Sequence, residues 1–257
     1  MSLVTVQTQP NGIATIALND PDRRNAMSEE MAGQFKTVVE RLGDDKRLRS
    51  VILTGAGRAF AAGGDLGMLK QKAELDVETN RQRMLEFYKS FLCILRLPVP
   101  LIAAVNGHAI GAGLAIALAC DFRIVSDSAK FGLNFVRIGL HPGMGSTLFA
   151  PRICGTAAAT DLLVSGRIFT TEEAQNYGIA TRVASADRVL EEAIALAESL
   201  QSCGPAAVQG LLETLRPSKN ELSKSLEHEA SEQAANYASA EFAEGIAAAL
   251  ERRSPKY

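Results

Sequence analysis

Thr54-Gly55-Ala56-Gly57 leads into Phe60-Ala61-Ala62-Gly63-Gly64-Asp65, and Asn106-Gly107-His108-Ala109-Ile110-Gly111-Ala112-Gly113 repeats the theme farther along. Each stretch follows a β-branched apolar run, Ser50-Val51-Ile52-Leu53 and Leu101-Ile102-Ala103-Ala104-Val105. Buried strands that end in small-residue turns let a ligand approach the backbone closely. Two such turns can aim two backbone N–H groups at one oxygen, the arrangement that holds a developing oxyanion. The pattern predicts an enzyme that polarises a carbonyl.

Outward from these turns, the chain alternates strands with helices to roughly residue 185. Strands are predicted at Ile13–Leu18, Ser50–Leu53, Leu101–Val105 and Phe122–Val125. Helices are predicted from the Ser28 cap to about Leu42, over Asn80–Leu97, and over Ala112–Ala119. Thr170-x-x-Glu173 reads as a capping box. Beyond Asp187 only helical segments follow: Arg188–Ser202, Pro205–Leu215, Leu222–Ala238 and Phe242–Arg252. This is an α/β core at 1–186 with a helical region at 187–257.

Composition narrows the function classes. The 257 residues carry 47% hydrophobic and 22% charged side chains and a net charge of −2, without Trp. No basic excess and few stacking aromatics argue against nucleic acid as a partner. Pro98–Cys120 is long and almost free of charge, but its Pro and Asn-Gly breaks fit buried α/β packing better than a membrane span. Cys93, Cys120, Cys154 and Cys203 are widely spaced, and the N-terminus shows no basic segment followed by an apolar one. Reduced thiols in a cytoplasmic compartment are expected. His108, His141 and His228 follow no metal-ligand spacing. Gly55-x-Gly57 lacks the third glycine of a dinucleotide fingerprint, because that position is Phe60.

Several segments resemble the crotonase superfamily, the enoyl-CoA hydratase/isomerase family. They are Leu18-Asn19-Asp20-Pro21-Asp22-Arg23-Arg24-Asn25-Ala26-Met27-Ser28, Ala59–Leu66, Val105–Gly113, Cys120-Asp121-Phe122, Phe131-Gly132 and Glu244-Gly245. They occur in order over nearly the whole chain. The resemblance implies a spiral of β-β-α units, acyl-coenzyme A thioesters as substrates, and a homotrimer or dimer of trimers built through the C-terminal helices. It implies no separate cofactor, coenzyme A being part of the substrate.

By position, the resemblance makes the N–H groups of Gly64 and Ala112 the oxyanion donors. It sets Arg23 and Arg24 at the nucleotide end of coenzyme A, where arginine suits phosphate, and Ala26 among the residues that bind the substrate. Ala61, Ala62, Gly63 and Leu66 would meet the adenine and the thioester arm. Asp65 reads either as a further contact or as a local cap. Phe135 would border the acyl group.

The two glutamates of family hydratases have no counterpart here, because their positions are Ala115 and Phe135. Neither side chain moves a proton. His141, in a loop that borders the acyl pocket in the family, is the candidate substitute acid or base. Hydration of a simple enoyl thioester is therefore expected to be slow. The alternatives are a decarboxylase or thioester hydrolase on the same scaffold, or a non-catalytic acyl-CoA-binding protein.

Overall fold

A computed structural model describes residues 2–257. The strands are β1 (Val4–Thr8), β2 (Ile13–Leu18), β3 (Ser50–Gly55), β4 (Ala59–Ala61), β5 (Leu101–Val105), β6 (His108–Ile110), β7 (Phe122–Ser126), β8 (Lys130–Gly132), β9 (Ile168–Thr170) and β10 (Arg182–Ala184). The helices are α1 (Glu29–Gly43), α2 (Leu66–Lys72), α3 (Val77–Leu92), α4 (Ala112–Ala119), α5 (Ser146–Ser165), α6 (Thr171–Asn176), α7 (Val189–Ser199), α8 (Pro205–Leu215), α9 (Lys219–Tyr237) and α10 (Ala240–Glu251).

One sheet has the order β1-β2-β3-β5-β7-β10 and the other β4-β6-β8-β9. All neighbouring pairs are parallel except β1 with β2 and β8 with β9. Successive units β3-β4-α2, β5-β6-α4 and β7-β8-α5 each send one strand to the large sheet and the next to the small one. That repetition is the expected spiral of β-β-α units. It sets the turns after β4 and β6 side by side, since Ala61 registers with Ala109.

Packing follows from the apolar faces. The strands β3 and β5 are buried along their whole length, and so is every residue of α4. A helix apolar on all sides belongs in a core. The charge-free segment is therefore β5, β6 and α4, and no helix among the described residues is long and apolar enough to cross a membrane. Val189, Ala193 and Leu196 of α7 close the far face of the large sheet against Ile13, Ile52, Ile102 and Ile124. The helix α9 packs along α3, and α10 lies over α2 and a 3-10 turn at Asn134–Ile138. The C-terminal region is thus built into the same body as the sheets.

Two boundaries differ from the sequence reading. The helix α3 starts at Val77, where Asp76 caps it by accepting the Thr79 N–H at 2.9 Å. At Cys93 it tightens into a 3-10 turn through Arg96, ahead of Pro98 and Pro100. The unpredicted α5 begins at Gly145 without a side-chain cap of its own, contains Pro151, and breaks at Gly155 (φ 75°, ψ 158°).

Candidate active site

Gly63 and Gly111 bring the two turns together. Gly63 has φ +92°, and a Cβ there would stand 2.9 Å from Ile110 O and 3.7 Å from Ala112 N. Gly111 caps α4 with φ 52° and ψ −121°, a conformation open to glycine. A Cβ at Gly113 would collide with Ala61 O at 2.6 Å, so α4 sits as close to β4 as its backbone permits.

The flanking backbone groups are used up. The Met27 N–H donates to Gly63 O at 2.8 Å, Asp65 N–H to Met27 O at 3.0 Å, and Gly111 N–H to Gly132 O at 2.7 Å. The N–H groups of Gly64 and Ala112 have no partner among the described residues. Both residues line a cavity of about 570 Å³. Two free donors on one cavity wall, one at a helix N-terminus with its partial positive charge, suit a developing anion.

Exposure gives the cavity a mouth and a floor. Asp22, Arg23, Arg24 and Arg252 are exposed lining residues and mark the mouth. Asn25, fully buried with φ 57°, holds that turn in place. Its amide donates to Ala59 O at 2.8 Å and Ala56 O at 2.9 Å, and its oxygen accepts the Asp20 N–H at 2.9 Å. The Arg23 guanidinium is bound at 2.7 Å by Asp20 and at 3.0 Å by Asp65. Arg24 has no carboxylate partner among the described residues. Asp65 also caps α2 by accepting the Met68 N–H at 2.8 Å, the local role that the sequence left open.

The walls are apolar, with Leu66, Met68, Leu69, Met84, Phe87, Phe135, Ile138, Leu140 and Met144 among them. Phe135 stands close to the Gly111 turn: its Cζ lies 3.9 Å, and Asn134 Oδ1 3.6 Å, from the point where a Gly111 Cβ would be. Ala26, Ala62 and Gly63 also line the cavity; Ala61 lies buried beneath it in β4. Ala115 is fully buried and no part of the lining.

His141 is not brought to this cavity. Its N–H donates to Asn236 Oδ1 at 2.6 Å, and its ring stands edge-on to His228, 5.7 Å between centroids. The loop thus turns its imidazole toward α9 and its neighbours Leu140 and Met144 inward. His108 is exposed and accepts the Lys130 N–H at 3.1 Å. The residues that sequence reading missed are Tyr88 and Gln233, both buried at the cavity floor. A buried tyrosine on an amphipathic helix reads as core, and 145 residues separate it from its partner. Burial pushes the Tyr88 phenol well above its ordinary pKa, so it is a neutral hydroxyl.

Comparisons with known proteins agree with this geometry. The profile described as enoyl-CoA hydratase/isomerase matches residues 8–257. A Mycobacterium tuberculosis protein named probable enoyl-CoA hydratase EchA14 is 38% identical, covering 93% of this chain and 94% of its own. The 1,2-epoxyphenylacetyl-CoA isomerase of Escherichia coli is 34% identical, covering 96% and 95%. The crystal structure of an enoyl-CoA hydratase/isomerase from Pseudoalteromonas atlantica superimposes with a TM-score of 0.87 at 32% identity, covering 99% of both chains. Sequence, topology and paired turns agree, and the chain belongs to the enoyl-CoA hydratase/isomerase family, with the crotonase fold.

Proposed function

We propose that this protein binds an acyl-CoA thioester with its carbonyl oxygen between the N–H groups of Gly64 and Ala112, and stabilises the enolate formed from it. The observation that carries this reading is the pair of unpartnered N–H groups on the wall of a largely apolar cavity. In such surroundings each fixed donor contributes about 3 kcal/mol to the transition state. The exposed arginines at the mouth suit the phosphates of coenzyme A.

The chemistry that follows is constrained by what the walls lack. Phe135 on the wall and the buried Ala115, which is not part of the lining, offer no acid or base, and the hydroxyl of Tyr88 is neutral. The lining carboxylates Asp22 and Asp65 come from the turns that form the mouth. Enolate formation without a carboxylate base fits loss of carbon dioxide from a malonyl-type thioester. An isomerisation is the second reading, favoured by the similarity to the E. coli enzyme named as an epoxyphenylacetyl-CoA isomerase.

Mass spectrometry of crotonyl-, 3-enoyl-, methylmalonyl- and saturated acyl-CoA incubated with the protein in deuterated water tests this. Loss of carbon dioxide from methylmalonyl-CoA, with deuterium taken up at the α-carbon as the enolate is quenched, is the expected result, with little water added to crotonyl-CoA; double-bond migration in the 3-enoyl thioester supports the second reading. Brisk hydration of crotonyl-CoA overturns the reaction reading. No change and no binding across the panel overturns the acyl-CoA reading itself.

A further inference from the structure

Two buried polar side chains of the cavity lining, Tyr88 and Gln233, meet a third, Tyr237, which lies outside the lining. Tyr88 and Tyr237 are each 1% exposed and Gln233 is 2% exposed. Gln233 Nε2 lies 2.6 Å from His141 O. A backbone carbonyl can only accept, so the amide nitrogen must face it and the amide oxygen must face the hydroxyls. Tyr88 then donates to Gln233 Oε1 at 2.7 Å and Tyr237 to the same oxygen at 3.2 Å. The Tyr237 hydroxyl also lies 3.4 Å from Met84 Sδ, and its single proton serves one of these two acceptors.

What is left over defines a ligand. The Tyr88 proton is committed, so its oxygen can only accept. The second N–H of Gln233 can only donate. Neither has a partner among the described residues, and both side chains line the cavity. An acceptor next to a donor in a buried place has a cost unless something fills it. A hydroxyl group fills both at once, donating to Tyr88 Oη and accepting from Gln233 Nε2. A carbonyl, ether or carboxylate oxygen satisfies the Gln233 N–H alone, and a methyl end satisfies neither.

The backbone makes room for this pair. A Cβ at Gly143 would stand 2.5 Å from Tyr88 Oη and 2.9 Å from Gln233 Nε2. Any side chain at 143 would displace the two polar ends, although Gly143 has no positive φ to require glycine.

We infer that Tyr88 and Gln233 form a hydroxyl-binding subsite in the buried part of the cavity that Gly64 and Ala112 also line, selecting acyl groups that carry a hydroxyl. The inference rests on the acyl-CoA reading above and names its substrate class.

Titration calorimetry with matched pairs of saturated acyl-CoA thioesters tests it. Butanoyl-, hexanoyl- and octanoyl-CoA are each compared with the ω-hydroxy form. At one chain length the hydroxylated member should bind about tenfold tighter, the yield of two neutral hydrogen bonds formed out of water. Tyr88→Phe removes the acceptor and keeps the ring, and Gln233→Leu removes the donor. Each should bring that ratio close to one, as should Gly143→Ala through displacement. A wild-type ratio near one at every length overturns the subsite, as does a preference that survives both Tyr88→Phe and Gln233→Leu. Plain acyl-CoA binding in the same titrations reads the underlying proposal separately, and its absence overturns both.

Discussion

The Glu229 carboxylate accepts the backbone N–H of Gly145 at 2.6 Å. It also accepts the Thr147 N–H at 3.0 Å and the Thr147 hydroxyl at 2.5 Å. Gly145, the cap residue of α5, has no side chain to offer, and a carboxylate from α9 takes over that role. Helix dipole and N–H groups favour the anion there, while burial opposes it. Burial is the larger effect and raises the Glu229 pKa above its ordinary value of 4.5.

That shift has a signed consequence for stability. With the folded-state pKa above the unfolded one, the folded protein binds more protons in between, and stability falls as pH rises. The contribution is fully present below the ordinary carboxylate range and is lost on passing upward through the raised pKa. In urea unfolding from pH 4 to 7, the stability of wild type relative to Glu229→Gln should decline steadily. A difference that stays constant or grows with pH would refute this assignment.

Arg24 and Arg23 should not be equivalent. Arg23 is already held by Asp20 and Asp65, whereas Arg24 is exposed and free of carboxylates. Arg24→Ala is expected to weaken coenzyme A binding about fivefold at low salt, an exposed charge–phosphate contact being modest. The loss should shrink as added salt screens the contact. Arg23→Ala should have the smaller effect. Calorimetry with coenzyme A at two ionic strengths ranks them.

Gly113→Ala tests the seating of the proposed oxyanion donors, Gly64 and Ala112. The new methyl would meet Ala61 O at 2.6 Å and Ala61 Cβ at 2.7 Å, and both are held in a sheet. Relief requires α4 to move away and carries the Ala112 N–H with it. A misplacement of this size reduces rate about 100-fold. Turnover of whichever thioester reacts, followed alongside circular dichroism to check folding, gives the readout.

Arg216 should be a stability residue. Its guanidinium binds both Asp121 oxygens, at 2.9 and 2.6 Å, and donates to Leu97 O and Val99 O at 2.8 Å each. Asp121 also accepts the Leu101 N–H at 2.8 Å, fixing the start of β5. Removing one partner of a mostly buried pair leaves the other uncompensated, so Arg216→Ala should cost about 3 kcal/mol in chemical unfolding.

The two glycine turns were legible in the sequence because the backbone conformations they need exclude most side chains. The long strands β2, β3 and β5 were legible because they are apolar runs bounded by turn residues. The small sheet was not, since β4, β6, β8 and β9 have three residues each, too few to show a period. The α5 helix hid behind a cap supplied by distant Glu229, with Pro151 and a broken Gly155 inside it.

At the site, motif position singled out Gly64 and Ala112, whose N–H groups are unpartnered on the cavity wall. It could not foresee that Asn236 takes the His141 N–H and Gln233 its carbonyl, turning the imidazole away from the pocket. That choice is made by α9, about 90 residues away in sequence. The meeting of Tyr88 with Gln233 is equally non-local.

The proposed oxyanion donors are main-chain atoms, and every residue but proline carries an N–H. A side chain at 112 already exists, and a Cβ at 64 would press only on Leu69 Cδ1 at 3.3 Å. Mutation therefore erodes this half of the site slowly, while one base change can rewrite Phe135, Tyr88 or Gln233. If the proposed donors activate a carbonyl, that power is inherited almost passively on such a scaffold, and the side chains of the cavity wall are where descendants diverge.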